Sequence, residues 1–331
     1  MTMRSALLHA AAMLLGLAAL WARPVGAVGF QYVSVPGPDD RPLDVGIWYP
    51  SDTPASPQPR ALLPQTVAPD GRLAGRRLPL IVISHGSGGW FGGHVDTALA
   101  LAEAGYVVAA PTHAGDNYKD TVQFGTVSVL TSRPRQVVRV VDFMLESWAG
   151  HDQLDPARIG IFGFSAGGLT ALVAIGAEPN LGRIASYCAE NAREPECKRA
   201  TERAAAGTDD AAQPTPIWVH DPRIGAAAIA APGMGFIFDA ASLARVAVPV
   251  QLWSGAADDT VRPRSTEIVR HSLPQPPEYH LVENVGHYTF LVPCYSAAVY
   301  CKDAPGIDRI AFHRQLNASL VAFFNAQLRS R

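Results

Sequence analysis

Gly163-Phe164-Ser165-Ala166-Gly167 sets a serine between two glycines, directly after the apolar run Ile159-Gly160-Ile161-Phe162 and directly before Leu169-Thr170-Ala171-Leu172-Val173-Ala174-Ile175. Strand, G-x-S-x-G and helix is the context in which the pattern makes a tight elbow that holds a serine hydroxyl out of a sheet. Neighbours of such a serine must be small, because the strand and helix backbones approach each other closely there. A serine hydroxyl is a poor nucleophile at neutral pH, so the chemistry this spacing suggests, acyl transfer, also demands a base, a carboxylate and an oxyanion hole.

Four histidines follow Ser165 near strand ends or helices: His271, His280, His287 and His313. His287 stands in Asn284-Val285-Gly286-His287-Tyr288, just past a short apolar run, with Gly286 letting the loop bend back. His280 falls inside that run, and His271 and His313 fall in helical stretches, so His287 is the expected base. A base of this kind needs a carboxylate to hold its tautomer and stabilise the imidazolium. Gly255-Ala256-Ala257-Asp258-Asp259 offers two, and Asp258 is preferred for its spacing from the strand-terminal glycine, leaving Asp259 as a turn residue or a partner for Arg262 or Arg264. For the oxyanion, one N–H is expected from Ala166, the residue after the serine. The second is expected from His85-Gly86-Ser87-Gly88-Gly89, with Ser87 the first choice and Gly88 the second. That glycine run lacks the G-x-G-x-x-G spacing and the lysine of phosphate-binding loops.

The elements that must position these groups alternate. Residues 30–35 and 43–49 read as an antiparallel opening pair, and 51–77, rich in Pro, Ala and Gly, as a long surface loop. Leu78-Pro79-Leu80-Ile81-Val82-Ile83-Ser84 is a continuous apolar run, the mark of a strand buried on both faces of a parallel sheet. A helix over 95–104, a strand over 106–110, a helix over 135–148, strands over 224–231, 248–253 and 279–282 and a closing helix over 307–328 complete an α/β pattern. The expected class is α/β, a mostly parallel central sheet with helices on both faces. In such a sheet ligands bind beyond the carboxyl ends of the strands, where His85-Gly86-Ser87, Ser165, Asp258 and His287 all fall. Residues 178–221 differ in composition and are expected to form a small helical cap insertion.

The chain has 331 residues, 48% hydrophobic and 17% charged, with a net charge of −2 and no basic run, which argues for a globular protein and against a nucleic-acid partner. No C-x-x-C pair or H-E-x-x-H occurs, so neither a metal nor a cofactor is expected. Residues 1–27 read as a cleavable signal peptide: Arg4, an apolar stretch over 6–20, then Val25-Gly26-Ala27. The stretch is short for a membrane span. Residues 28–331 are thus expected to be exported, to the periplasm or beyond, without stable membrane insertion. In an oxidising compartment the four cysteines allow three connectivities, of which the local pairs Cys188–Cys197 and Cys294–Cys301 are the most economical.

These pieces together resemble the α/β-hydrolases, in particular the dienelactone-hydrolase and platelet-activating-factor acetylhydrolase branch. The resemblance is carried by Ser84-His85-Gly86-Ser87-Gly88-Gly89, by 101–111, by Gly163-Phe164-Ser165-Ala166-Gly167-Gly168, by Gly255-Ala256-Ala257-Asp258 and by Val285-Gly286-His287-Tyr288, and it spans about 30–328. Dienelactone hydrolases proper use a cysteine nucleophile, and serine here points to ordinary ester hydrolysis. The resemblance therefore implies a Ser-Asp-His serine esterase acting on a small-molecule ester, with short acyl chains expected because the cap is small. An amidase or peptidase with the same triad, or a non-catalytic binding protein on the same scaffold, are the alternatives. Trp90, Met234 and Tyr288, with Phe91, Phe236 and Phe290, flank the proposed loops and either line an acyl pocket or belong to the core beneath. Arg133 and Arg135 read first as structural ion-pair residues and second as contacts for an anionic substrate. Asn317-Ala318-Ser319 matches a glycosylation sequon but falls in the closing helix.

Overall fold

The computed structural model describes residues 27–37, 41–58, 63–205, 216–294 and 298–328. The expected export segment lies outside these residues except for Ala27, as does 206–215 of the insertion.

The continuous apolar runs form the middle of one sheet. β5 (Leu78–Ser84), β6 (Val107–Pro111), β7 (Leu154–Phe164), β8 (Ile224–Ala230), β9 (Val250–Gly255) and β10 (Glu278–Val282) are mutually parallel. β1 (Ala27–Val35) and β2 (Leu43–Ser51) form the antiparallel opening pair, and β2 joins the sheet against β6. With β3 (Ser56–Pro57) and β4 (Thr66–Pro69) the strand order is β10-β9-β8-β7-β5-β6-β2-β1-β4-β3. The stretch 51–77 is therefore not wholly a surface loop. Its β4 runs parallel to β1, Gly29 opposite Ala68, with Val67 and Ala68 buried. A strand of four residues beside so many prolines and glycines is too short to show a period of two.

Successive side chains of a strand face opposite ways, and the central strands obey this residue by residue. Leu80, Val82, Ile159, Ile161, Ala227, Ile229 and Leu252 pack into one core. That core is covered by α2 (Val127–Glu146), α3 (Ala166–Ala174) and α7 (Pro263–Ser272), with the short α6 (Ala240–Leu243) at its edge. Ile81, Ile83, Phe162, Phe164, Ala228 and Trp253 pack into the other, under α1 (Val95–Glu103) and α8 (Arg309–Leu328). Each fully buried Val, Leu, Ile or Phe contributes roughly 1.5–3 kcal/mol relative to exposure, so the two layers fix the strand ends that carry the polar loops.

α2 begins eight residues before the sequence pattern suggests. Its first turns hold Thr131, Ser132, Arg133 and Pro134, which break the apolar period, although Arg133 and Pro134 are themselves buried. Residues 178–221, the expected insertion, contain α4 (Arg183–Glu190) and α5 (Pro195–Ala205). A disulfide joins Cys188 of α4 to Cys197 of α5, and a second joins Cys294 to Cys301, the pairing expected from their proximity. No helix among the described residues is long and apolar enough to cross a membrane.

Candidate active site

β7 ends at Phe164 and α3 begins at Ala166, so Ser165 alone makes the turn, with φ 57° and ψ −119°. A positive φ costs a residue with a side chain on the order of 1–2 kcal/mol, and the surroundings must hold it there. Ser165 N–H donates to Ala230 O of β8 at 2.9 Å, and Ser165 O accepts from Gly168 N at 2.8 Å, Leu169 N at 3.1 Å and Gly233 N at 3.0 Å. The flanking glycines are steric necessities. A Cβ on Gly163 would run into the Gly167 carbonyl, and a Cβ on Gly167 into the Ser84 carbonyl.

Around this turn the structure brings together the three side chains expected from chain order. His287 Nε2 lies 3.0 Å from Ser165 Oγ, and His287 Nδ1 lies 2.7 Å from Asp258 Oδ2. The loop after β9 supplies Asp258 and the loop after β10 supplies His287, both nearly inaccessible to solvent. Asp258 Oδ1 accepts from Thr260 N at 2.9 Å and Val261 N at 2.8 Å, so the turn fixes the carboxylate and leaves Oδ2 for the imidazole. With Nδ1–H donated to a carboxylate, Nε2 presents its lone pair to the serine hydroxyl. That tautomer is the one needed to take a proton from Ser165. Asp259 is exposed, and its Oδ1 accepts from its neighbour's hydroxyl, Thr260 Oγ1, at 3.3 Å.

The other histidines lie elsewhere. His271 pairs with Glu267 on α7, His280 stacks on Trp253 at 4.0 Å, and His313 bridges Asp96 and Thr289 O.

The loop after β5 passes beside the elbow, β5 being the neighbour of β7. Ser87 is exposed, and its N–H finds no partner among the described residues. Gly88 N–H donates to Asp116 Oδ1 at 3.1 Å, which commits the second-choice donor to the protein itself. Ala166 heads α3, where first-turn N–H groups point out of the helix. The loop rests on a buried polar layer. Arg133 Nη2 donates to His85 O at 2.7 Å, and Arg133 Nε lies 3.5 Å from Asp116 Oδ2, both side chains fully buried. His85 Nε2 accepts from His113 N at 3.0 Å. Burial and then the Arg133 charge hold His85 and His113 well below the usual histidine range, so both rings are neutral. Burial also pulls Arg133 down to about 10, against the pull of Asp116. Arg133 is thus a structural group sealed from any substrate, while Arg135 lies exposed on α2.

Comparison with known proteins agrees with the topology. The dienelactone hydrolase family model matches residues 66–213, which include the Ser87 loop and Ser165. A ferulic acid esterase from Streptomyces cinnamoneus superposes with a TM-score of 0.65 at 20% identity, over 94% of this chain and 92% of its own. The chain has the α/β-hydrolase fold.

An acetyl xylan esterase from Paenibacillus sp. R4 shares the α/β-hydrolase fold, with a TM-score of 0.51 at 16% identity over 93% of this chain and 86% of that one. A puromycin-hydrolyzing peptidase from Mycobacterium tuberculosis does so at 0.56 and 16% identity, matching 90% of this chain but only 39% of its own. No curated protein sequence matches. On this α/β-hydrolase scaffold the three expected pocket residues sit on three different loops. Trp90 closes the Ser87 loop, Met234 follows the Gly233 that bonds Ser165 O, and Tyr288 lies edge-on to His287 at 5.5 Å. Phe91, Phe236 and Phe290 are buried in the core.

Three groups at the site were not evident from sequence. Asp116 holds Gly88, and Tyr118 N–H donates to Gly89 O at 3.2 Å with its half-exposed ring 6.1 Å from Trp90. Both belong to the loop after β6, whose position at a strand end was the available signal. The third, Glu196 of α5, donates nothing to a local pattern, and only the folded chain brings it to the Met234 turn. Among the described residues no three of His, Cys, Asp and Glu converge as metal ligands.

Proposed function

We propose that this protein is an exported serine esterase that hydrolyses small carboxylic esters through an acyl-enzyme. The reading is carried by one observation: a serine held at positive φ, hydrogen-bonded at 3.0 Å to a histidine that is itself bonded at 2.7 Å to a buried carboxylate. Ser165 Oγ attacks the acyl carbonyl carbon as His287 Nε2 takes its proton. Asp258 keeps the ring oriented and stabilises the imidazolium. Negative charge gathers on the carbonyl oxygen, where Ser87 and Ala166 N–H groups receive it, each such donor being worth roughly 3–4 kcal/mol in the transition state. The imidazolium then protonates the leaving alcohol, and water, deprotonated by the same His287, releases the acid.

The match to the dienelactone hydrolase family and the fold shared with two esterases support an ester over an amide substrate. Export is supported by the signal-like residues 1–27 together with two disulfides. The insertion 178–221 acts as a small cap, built on α4 and α5, beside Met234. Because it is small, short acyl chains are favoured. A series of p-nitrophenyl esters from acetyl to palmitoyl tests this: kcat/KM should fall by about tenfold or more beyond the short acyl chains. A preference for palmitoyl would contradict the pocket assignment, and unaltered turnover by Ser165→Ala would contradict the mechanism.

A further inference from the structure

The first turn of α5 carries a carboxyl group turned into the protein. Glu196 is 6% exposed, and its Oε1 accepts from Met234 N–H at 2.5 Å. Its Oε2 has no hydrogen-bond partner among the described residues. Burial pushes the carboxyl up to about 7, against the Met234 N–H and Arg199, which pull it down. A buried carboxyl with an idle oxygen is costly, and an apolar side chain of the same length would avoid that cost. What the acid does gain is the Met234 bond.

Met234 itself is strained, at φ 53° and ψ 32°, the left-handed region that a residue with a Cβ enters at a penalty. On one side of it Gly233 N–H donates to Ser165 O at 3.0 Å. On the other a 3-10 turn, Gly235–Ile237, begins, and Phe236 stacks on Tyr187 of α4 with ring centroids 4.3 Å apart. The turn after β8 therefore touches the nucleophile at one end and the insertion at the other. Cys197, next to Glu196, is fully buried and bonded to Cys188, which fixes the first turn of α5 against α4. The insertion also reaches the loop after β9, where Arg199 Nη2 donates to Thr260 O at 3.3 Å, and the start of α7, where Asn191 Oδ1 accepts from Arg264 Nη1 at 2.9 Å.

We propose that Glu196 is a positioning residue for Ser165: by holding Met234 N–H it sets the Gly233 N–H that fixes the serine carbonyl, so the disulfide-braced insertion sets the geometry of the nucleophile. The effect on turnover rests on the reading of Ser165 as nucleophile; the clamp on the backbone does not.

Two variants of the full mature chain separate the effects. Glu196→Met keeps the length and burial of the side chain but removes the acceptor, and Glu196→Gln keeps an amide oxygen able to accept from Met234. On p-nitrophenyl acetate Glu196→Met should lower kcat by about tenfold or more with KM within about twofold, because misplacement of a reacting group acts on the chemical step. Glu196→Gln should keep kcat within about threefold of wild type. Amide hydrogen exchange over 231–236 should quicken in the methionine variant and stay near wild type in the glutamine variant. In a Met234→Gly background, where glycine takes the left-handed conformation freely, adding Glu196→Met should cost less than about threefold. Wild-type kcat in Glu196→Met, or a glutamine variant as impaired as the methionine one, would overturn the proposal. If wild type cleaves no ester, the esterase reading fails, and unchanged exchange at 231–236 in Glu196→Met still overturns the clamp. If the methionine variant does not fold, loss of protection at 231–236 in Glu196→Gln overturns it.

Discussion

Arg133 Nη2 donates to the carbonyl oxygen of His85 at 2.7 Å from inside helix α2, with the guanidinium fully buried. The same guanidinium faces Asp116, whose other oxygen holds Gly88 N–H, so one buried ion pair supports both sides of the Ser87 turn. Breaking such a pair leaves an uncompensated charge, and Arg133→Met alone should cost on the order of 3–5 kcal/mol in urea unfolding. The double variant Arg133→Met/Asp116→Leu should recover most of that stability while leaving Gly88 N–H and His85 O without partners. Its kcat should remain about tenfold or more below wild type, since the proposed oxyanion donor, Ser87 N–H, is no longer held. Full recovery of kcat along with stability would show that the ion pair has no part in shaping the loop.

The two adjacent acids make an internal control. Asp258→Asn should lower kcat by about 10⁴-fold, because the amide no longer enforces the Nδ1–H tautomer of His287. Asp259→Asn, at an exposed position, should stay within about twofold. The reverse ranking would remove Asp258 from the mechanism.

The order of these groups was legible because each follows an apolar run at a strand end. That Ser165, Asp258 and His287 come together needed only chain order, their positions after strands and the nearby glycines. What sequence concealed lies off that pattern. Arg133 sits where Pro134 and three polar residues disguise the start of α2, and a buried arginine looks like a surface one until its partners are seen. β4 is four residues long, and its pairing with β1 is a long-range choice. Glu196 stands in a charged, helical stretch where an inward carboxyl cannot be told from its exposed neighbours; the disulfide was readable, the contact with Met234 was not.

Acid stability should carry the signature of a buried neutral histidine. His94 packs edge-on against Phe162 and Phe164, and burial lowers it from the ordinary 6.5 to about 4. Between those values the unfolded chain binds a proton that the folded chain excludes, so stability is fully present above pH 6.5 and is lost as pH falls toward 4. The amount is on the order of 3 kcal/mol, and the depressed His85 and His113 add in the same direction. Urea midpoints measured over this range should fall less steeply for His94→Leu than for wild type. An identical slope would mean that His94 is not the group that titrates.

The role proposed for Ser165, an activated nucleophile, is tested by a fluorophosphonate probe followed by peptide mass spectrometry. Ser165 should be labelled covalently in the folded protein, with ester turnover falling in proportion to the labelled fraction, and His287→Ala should take almost no label. Absence of label on Ser165 anywhere between about pH 6 and 9, or full turnover by labelled protein, would contradict it.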